Sequence, residues 1–169
     1  MFFIKIFMLM LILGGSSYIG IVFSKKYFDR AKELKDMKNA LNMFATKIKF
    51  TYEPIPSIFS DISLKVDGNV SKIFNVATTE MKDKQAGEAW NYALDNVNTN
   101  MNNEDKGVIK NLGRMLGQTD LDGQLSEIEL VSDFLDTQIQ KAESERSKNE
   151  KMYRTLGIVV GLTIVIILI

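Results

Sequence analysis

The chain has no cysteine and no histidine. Disulfides, thiolate nucleophiles, most zinc sites and imidazole acid–base chemistry are therefore excluded. Proline occurs only twice and tryptophan once, and 21 basic side chains balance 21 acidic ones. A net charge of zero argues against a wholesale role on nucleic acid. The sequence contains no phosphate-binding loop, dinucleotide fingerprint, nucleophile elbow or zinc-ligand spacing. No enzymatic activity, metal or cofactor is expected on these grounds.

What the chain does have is an apolar segment at each end and charge in between. Ile6 to Phe23 is 18 residues without a charge, and Leu156 to Ile169 is 14 more. A helix rises about 1.5 Å per residue, so 18–22 residues reach roughly 27–33 Å, enough to cross a bilayer. The first span is read at residues 2–23, with Lys5 near its end free to snorkel. The second is read at 153–169, with Tyr153 at headgroup level and Arg154 snorkelling. Lys25, Lys26, Arg30, Lys32, Lys35 and Lys38 follow the first span, and Arg146, Lys148, Lys151 and Arg154 lead into the second. Basic flanks resist translocation, so residues 24–152 are expected in the cytoplasm with both termini outside. Gly14-Gly15-Ser16-Ser17 offers the alternative of a cleaved signal peptide, which the basic flank disfavours. Residues 83–136 hold eleven acidic side chains against Lys84, Lys106, Lys110 and Arg114. A basic collar and an acidic far end suit a domain standing off anionic headgroups.

The stretch between the spans reads as all helix. Tyr27, Leu34, Leu41 and Ile48 recur every seven residues, with Ala31, Met37, Phe44 and Ala45 on the same side. This helix should run out of the first span to Phe50, where Pro54 and Pro56 force an extended turn. Short helices are expected at Ser57–Leu64, at Val70–Met81 after an Asp67-Gly68-Asn69 turn, and from Gly87 through Val97. Asn-rich residues 96–103 read as a loop, with Asn103 capping a helix that holds Val108, Ile109, Leu112, Met115 and Leu116. Leu121, Leu125, Ile128, Ser132, Leu135, Ile139 and Ala142 follow a 4–3 seam on a last helix running unbroken into the second span. The fold class is all-α: an antiparallel bundle of about six helices between an N-terminal and a C-terminal transmembrane helix.

Individual motifs have plain structural readings. In Gln118–Glu129, Asp120, Asp122, Gly123, Leu125 and Glu129 fall at calcium-loop positions, but Gln118 replaces the first carboxylate. A helix–helix turn capped by Thr119 or Asp120 is the preferred reading. Gly113 suits a close helix crossing and Gly117 a helix end. Gly157 and Gly161 form a G-x-x-x-G that favours close packing in lipid, with Ser16 and Gly20 as a matching small face. Trp90 reads as a core residue rather than a ligand platform.

Taken together, several short motifs resemble one family. They are Tyr52 before Pro54-Ile55-Pro56, Gly87-Glu88-Ala89-Trp90, Leu112-Gly113 with Leu116-Gly117, and Asp120 with Gln124. To these are added Lys148-Asn149-Glu150-Lys151-Met152-Tyr153 leading into Leu156-Gly157. In this order, between two terminal spans, the chain resembles the stage III sporulation protein AB family of endospore-forming bacteria. The resemblance implies a scaffold in a complex joining mother cell and forespore, sited in the mother-cell membrane facing the forespore. It also implies similarity to the cytoplasmic domain of type II secretion and type IV pilus platform proteins. The implied partners are a secretion-type ATPase, other stage III sporulation proteins that form rings, and the lipid bilayer; self-association is compatible with it, and nucleic acid is not a partner. A membrane-tethered regulatory adaptor and a calcium-responsive helical protein are the alternatives.

Overall fold

In the computed structural model the backbone of residues 2–51 and 53–168 is described; Tyr52, in the first of the motifs above, lies outside it. Among these residues there are six α-helices, one 3-10 turn and no strand. They are α1 (Phe2–Phe50), α2 (Ile55–Lys65), α3 (Gly68–Glu80), α4 (Ala86–Asn96), α5 (Asn103–Asn111) and α6 (Leu121–Leu168), with the 3-10 turn at Leu112–Arg114 between the last two. The chain divides into two compact units. One joins the residues up to Asp29 to those from Lys141 onward, and the other is Arg30–Gln140.

In the Arg30–Gln140 unit, α1 is buried along one stripe: Ala31, Leu34, Met37, Leu41, Phe44 and Ile48. The seven-residue recurrence of the sequence is thus the core face of this helix. Four rings fill the centre. Phe44 meets Phe59 at 5.1 Å, Phe59 meets Phe74 at 4.9 Å, and Trp90 meets both at 5.5 and 5.2 Å, all edge to face. Such pairs add about 0.5–1.5 kcal/mol each beyond burial. Trp90 is fully buried, and its indole N–H donates to the carbonyl of Ile109 at 3.0 Å.

Several boundaries differ from the sequence expectation, each for a local reason. α2 opens at Ile55, not Ser57: Pro56 lacks an N–H, and the first turn needs none. Asp67 makes no side-chain cap to α3, and the Asn69 amide donates to Glu33 instead. α4 opens one residue before Gly87. The cap of α5 is Asn102, not Asn103. Its side chain accepts from the Asp105 N–H at 2.8 Å while the Asp105 carboxylate accepts from the Asn102 N–H at 2.9 Å. That reciprocal box needs an acceptor three residues on, which Asn102 has in Asp105. The helix then tightens into the 3-10 turn, so Met115 and Leu116 lie beyond it. On α6 the stripe buried in this unit is Ile128, Val131, Ser132, Leu135 and Gln138, while Leu121 is exposed and Leu125 and Ile139 are half-buried. The buried face is therefore turned toward Val131 and Gln138 relative to the heptad seam.

In the other unit, the Tyr27 and Tyr153 rings stand 6.3 Å apart and the Arg146 guanidinium lies 4.5 Å from the Phe28 ring centre. Burial and the neighbouring Tyr153 raise the pKa of the Tyr27 hydroxyl. Gly161 is buried and Gly157 half-buried. Among the described residues no helix is long and apolar enough to cross a membrane. The side chains of residues 2–13, of most of 16–23, and of Arg154, Val165 and 167–169 lie outside the described set. Most of the first expected span, with Ser16 and Gly20, and a smaller part of the second fall there.

Candidate interaction surface

The motif residues within the Arg30–Gln140 unit, far apart in sequence, converge on one of its corners. It is built from the starts of α2, α4 and α6 and the turn before α6. At its base α4 crosses the 3-10 turn with no room to spare. A Cβ on Gly87 would stand 1.9 Å from the Gly113 carbonyl oxygen, and one on Gly113 would stand 2.9 Å from the Asn91 side chain. Gly87 is thus required by the approach of one backbone to another, while at Gly113 the nearest backbone atom, the Gly87 carbonyl oxygen, would stand at 3.1 Å. Gly117 is required for a different reason. Its φ is +72°, and a Cβ there would make only ordinary contacts with Ala86 and Ile55, at 3.8 and 3.9 Å. The left-handed turn, which Gly enters without penalty, stops the preceding helical turn and seats it on the starts of α2 and α4. The Gln118 amide donates to Gln85 at 3.2 Å, closing the same contact.

Pro54 precedes this seat in extended backbone, φ −59° and ψ 143°, and its carbonyl accepts from the Ser57 and Ile58 N–H groups. Both Pro54 and Pro56 are exposed. Asp120 accepts from the Gly123 N–H at 3.0 Å, and the Gln124 amide donates to the Thr119 carbonyl at 3.1 Å. Asp120 therefore caps α6, three residues ahead of its first-turn donor. Because residues 121 onward are already helical, Glu129 lies about 13 Å further along the helix axis than Asp120. The turn geometry directs the two carboxylates to different places. Among the described residues, no three carboxylates converge on a common point.

The exposed side chains of the corner include polar ones of both signs, Gln85, Glu88, Arg114, Gln118, Asp120 and Asp122, beside the apolar Pro54, Pro56 and Leu121. The backbone beneath them is pinned by the glycine crossing and the aromatic core. Such a surface can recognise a partner by shape and charge. Trp90, behind it, is structural. Gly157 and Gly161 belong to the other unit and take no part in the corner.

Sequence reasoning missed a buried polar network at α1. Arg30, read as part of the basic collar, is instead 7% exposed and donates to both Asp105 oxygens at 2.8 and 3.0 Å. Glu33, 8% exposed, accepts from the Asn100 N–H and from the amides of Asn100 and Asn69, at 2.7–2.8 Å. Gln138 donates to Glu104 at 2.9 Å. This network ties α3, the Asn-rich loop and α5 to α1. Its one legible signal was the Asn-x-x-Asp spacing of the capping box. Lys38, also read as collar, is bonded to both oxygens of Asp136.

The model of the stage III sporulation protein AB family matches residues 5–169. The stage III sporulation protein AB of Bacillus subtilis (strain 168) is 26% identical over 162 residues, spanning 93% of this chain and 94% of that protein. A solved structure of a stage III sporulation protein AB has the same fold, with a TM-score of 0.63 and 21% identity over 70% of this chain and 96% of that one.

Proposed function

The chain belongs to the stage III sporulation protein AB family, and we propose that it works in spore formation as a non-enzymatic membrane scaffold of a mother cell–forespore complex. In this reading the Arg30–Gln140 unit stands in the mother-cell cytoplasm, and the two terminal segments hold it in the membrane facing the forespore. Its partners are a secretion-type ATPase and ring-forming stage III sporulation proteins.

The observation that carries the reading is the convergence on one corner of the family-like motifs that lie within the Arg30–Gln140 unit, all but the one at residues 148–157. For the membrane, support comes from the end of α6, where Leu156, Ile158, Val159, Val160, Leu162, Ile164 and Ile166 are all 38–73% exposed. An extended apolar surface on one helix is costly in water and favourable in lipid.

Two measurements test this. The chain has no native cysteine, so a single cysteine at exposed Asn98 should resist a membrane-impermeant thiol reagent in intact cells; labelling there would reverse the topology. Affinity-tagged full chain from sporulating cells should bring down a secretion-type ATPase. The pair Glu88→Arg and Arg114→Glu should lose that ATPase and lower spore counts while the protein still accumulates in membranes. Full retention of the ATPase by this pair would remove the corner from the reading.

A further inference from the structure

The corner leaves one large feature unused, an open groove of about 680 Å³ between the C-terminal part of α1 and the N-terminal part of α6. Its two walls are oppositely charged. Of the residues that line it, α1 contributes Lys38 and Lys49 and no acid, while α6 contributes Glu129 and Asp133 and no base. Lys38 is bonded to Asp136 and Lys47 to Asp61. Lys49 on one wall and Glu129 and Asp133 on the other are exposed, with no ion pair among the described residues. At the floor is Ser132, only 8% exposed, whose hydroxyl is buried without a hydrogen-bond partner.

We propose that the groove is the interface between two copies of this chain, related by a two-fold axis parallel to α1 and α6. The charge pattern selects this occupant and this axis. Lys38 lies level with Asp136, and from there α1 runs to Phe50 and α6 back to Leu125 along the same groove, so the helices are antiparallel. A two-fold axis parallel to them lays α1 of one copy on α6 of the other, basic wall on acidic wall, twice. A two-fold axis across the helices would lay like walls together. With the parallel axis, levels along the helices are kept. Asn42 is four residues beyond Lys38 and Ser132 four before Asp136, so Asn42 of one copy comes level with the orphan hydroxyl of the other. The Asn42 amide is exposed and lines the groove. Lys49 likewise reaches the level of Leu125 to Glu129. Both copies keep the same ends of these helices on the same side, as two chains rooted in one membrane require.

The test uses the full chain in mild detergent. Two variants, Asn42→Cys and Ser132→Cys, are mixed and oxidised. A disulfide-linked dimer should form in the mixture and far less in either variant alone. Sedimentation should show a dimer that Lys49→Glu or Glu129→Lys weakens by about tenfold or more, since an exposed ion pair is worth up to about fivefold and is present twice. The double exchange of both charges should restore it. Circular dichroism should show all four variants folded, because positions 42, 49 and 129 are exposed and Ser132→Cys changes one atom. A monomer at 100 µM, cross-linking by Asn42→Cys alone, or a groove protected only when a different protein is present would each overturn the proposal.

Discussion

Gly87→Ala adds one methyl group and should still cost stability on the scale of a core truncation. The new Cβ would lie 1.9 Å from the Gly113 carbonyl oxygen and 2.9 Å from its carbon. Both are backbone atoms, so no rotamer change relieves the clash. Reaching an ordinary contact near 3.4 Å requires α4 and the 3-10 turn to part by about 1.5 Å. Overpacking of this kind costs about 1–3 kcal/mol. Trp90 sits one turn further along α4, and its 3.0 Å bond to Ile109 spans the same crossing. Stretching a buried hydrogen bond adds about 1 kcal/mol or more. Against this, Ala gains about 0.5–1 kcal/mol over Gly in a helix. The net loss should be about 1–3.5 kcal/mol from a total of roughly 5–15. Gly107→Ala is the internal comparison: it lies mid-helix in α5, exposed, with nothing within 4 Å of its added Cβ. That variant should be neutral to about 1 kcal/mol more stable. Urea unfolding followed by circular dichroism measures both. If Gly87→Ala unfolds at or above the wild-type midpoint, the crossing does not depend on glycine and the argument from close approach is wrong.

The Arg30–Asp105 pair gives a second expectation. Arg30→Ala leaves a fully buried carboxylate with its main partner gone, at a cost of about 3–5 kcal/mol, whereas exposed Lys32→Ala should change stability by less than about 0.5. Unfolding midpoints that shift equally for the two would contradict the buried pairing. In acid, the Asp61 carboxyl should be visible separately: its hydrogen bond and ion pair with Lys47 lower its pKa below the ordinary 3.8. A lowered folded pKa stabilises above the unfolded value and loses that contribution as pH falls through the folded one. Asp61→Asn should therefore flatten the stability profile below about pH 4 and leave its shape near pH 7 unchanged; an unaltered acid limb would show that the pair contributes nothing. For the Gln118–Glu129 turn, calorimetry at millimolar calcium should show no saturable heat, since Asp120 caps α6 and Glu129 lies far along it; a one-to-one heat abolished by Glu129→Gln would refute this.

Elements set by local signals were legible in the sequence. The seven-residue recurrence from Leu34 to Ile48 marked the buried face of α1, because helical spacing alone decides which side chains share a side. Pro54 and Pro56 marked the gap between α1 and α2, and the absence of Gly or Pro between Gln124 and Leu156 marked the unbroken α6. Trp90 was readable as core from its size. The cap at Asn102 was missed by one residue because three asparagines compete for it locally; only Asp105, committed to both the box and Arg30, settles the choice. Arg30 itself looked like a surface cation, since charge in a sequence carries no sign of burial. Likewise the pattern of Gly87 and Gly113 named two small residues but not that each faces the other. Covalent chemistry and helical periodicity are properties of neighbours along the chain, and those the sequence by itself determined. Which buried charge finds which partner, which glycines meet, and how two helices of opposite charge flank an open groove are contacts between residues 26 to 98 apart. Those depend on the angles and distances at which helices pack, and only the tertiary structure decided them.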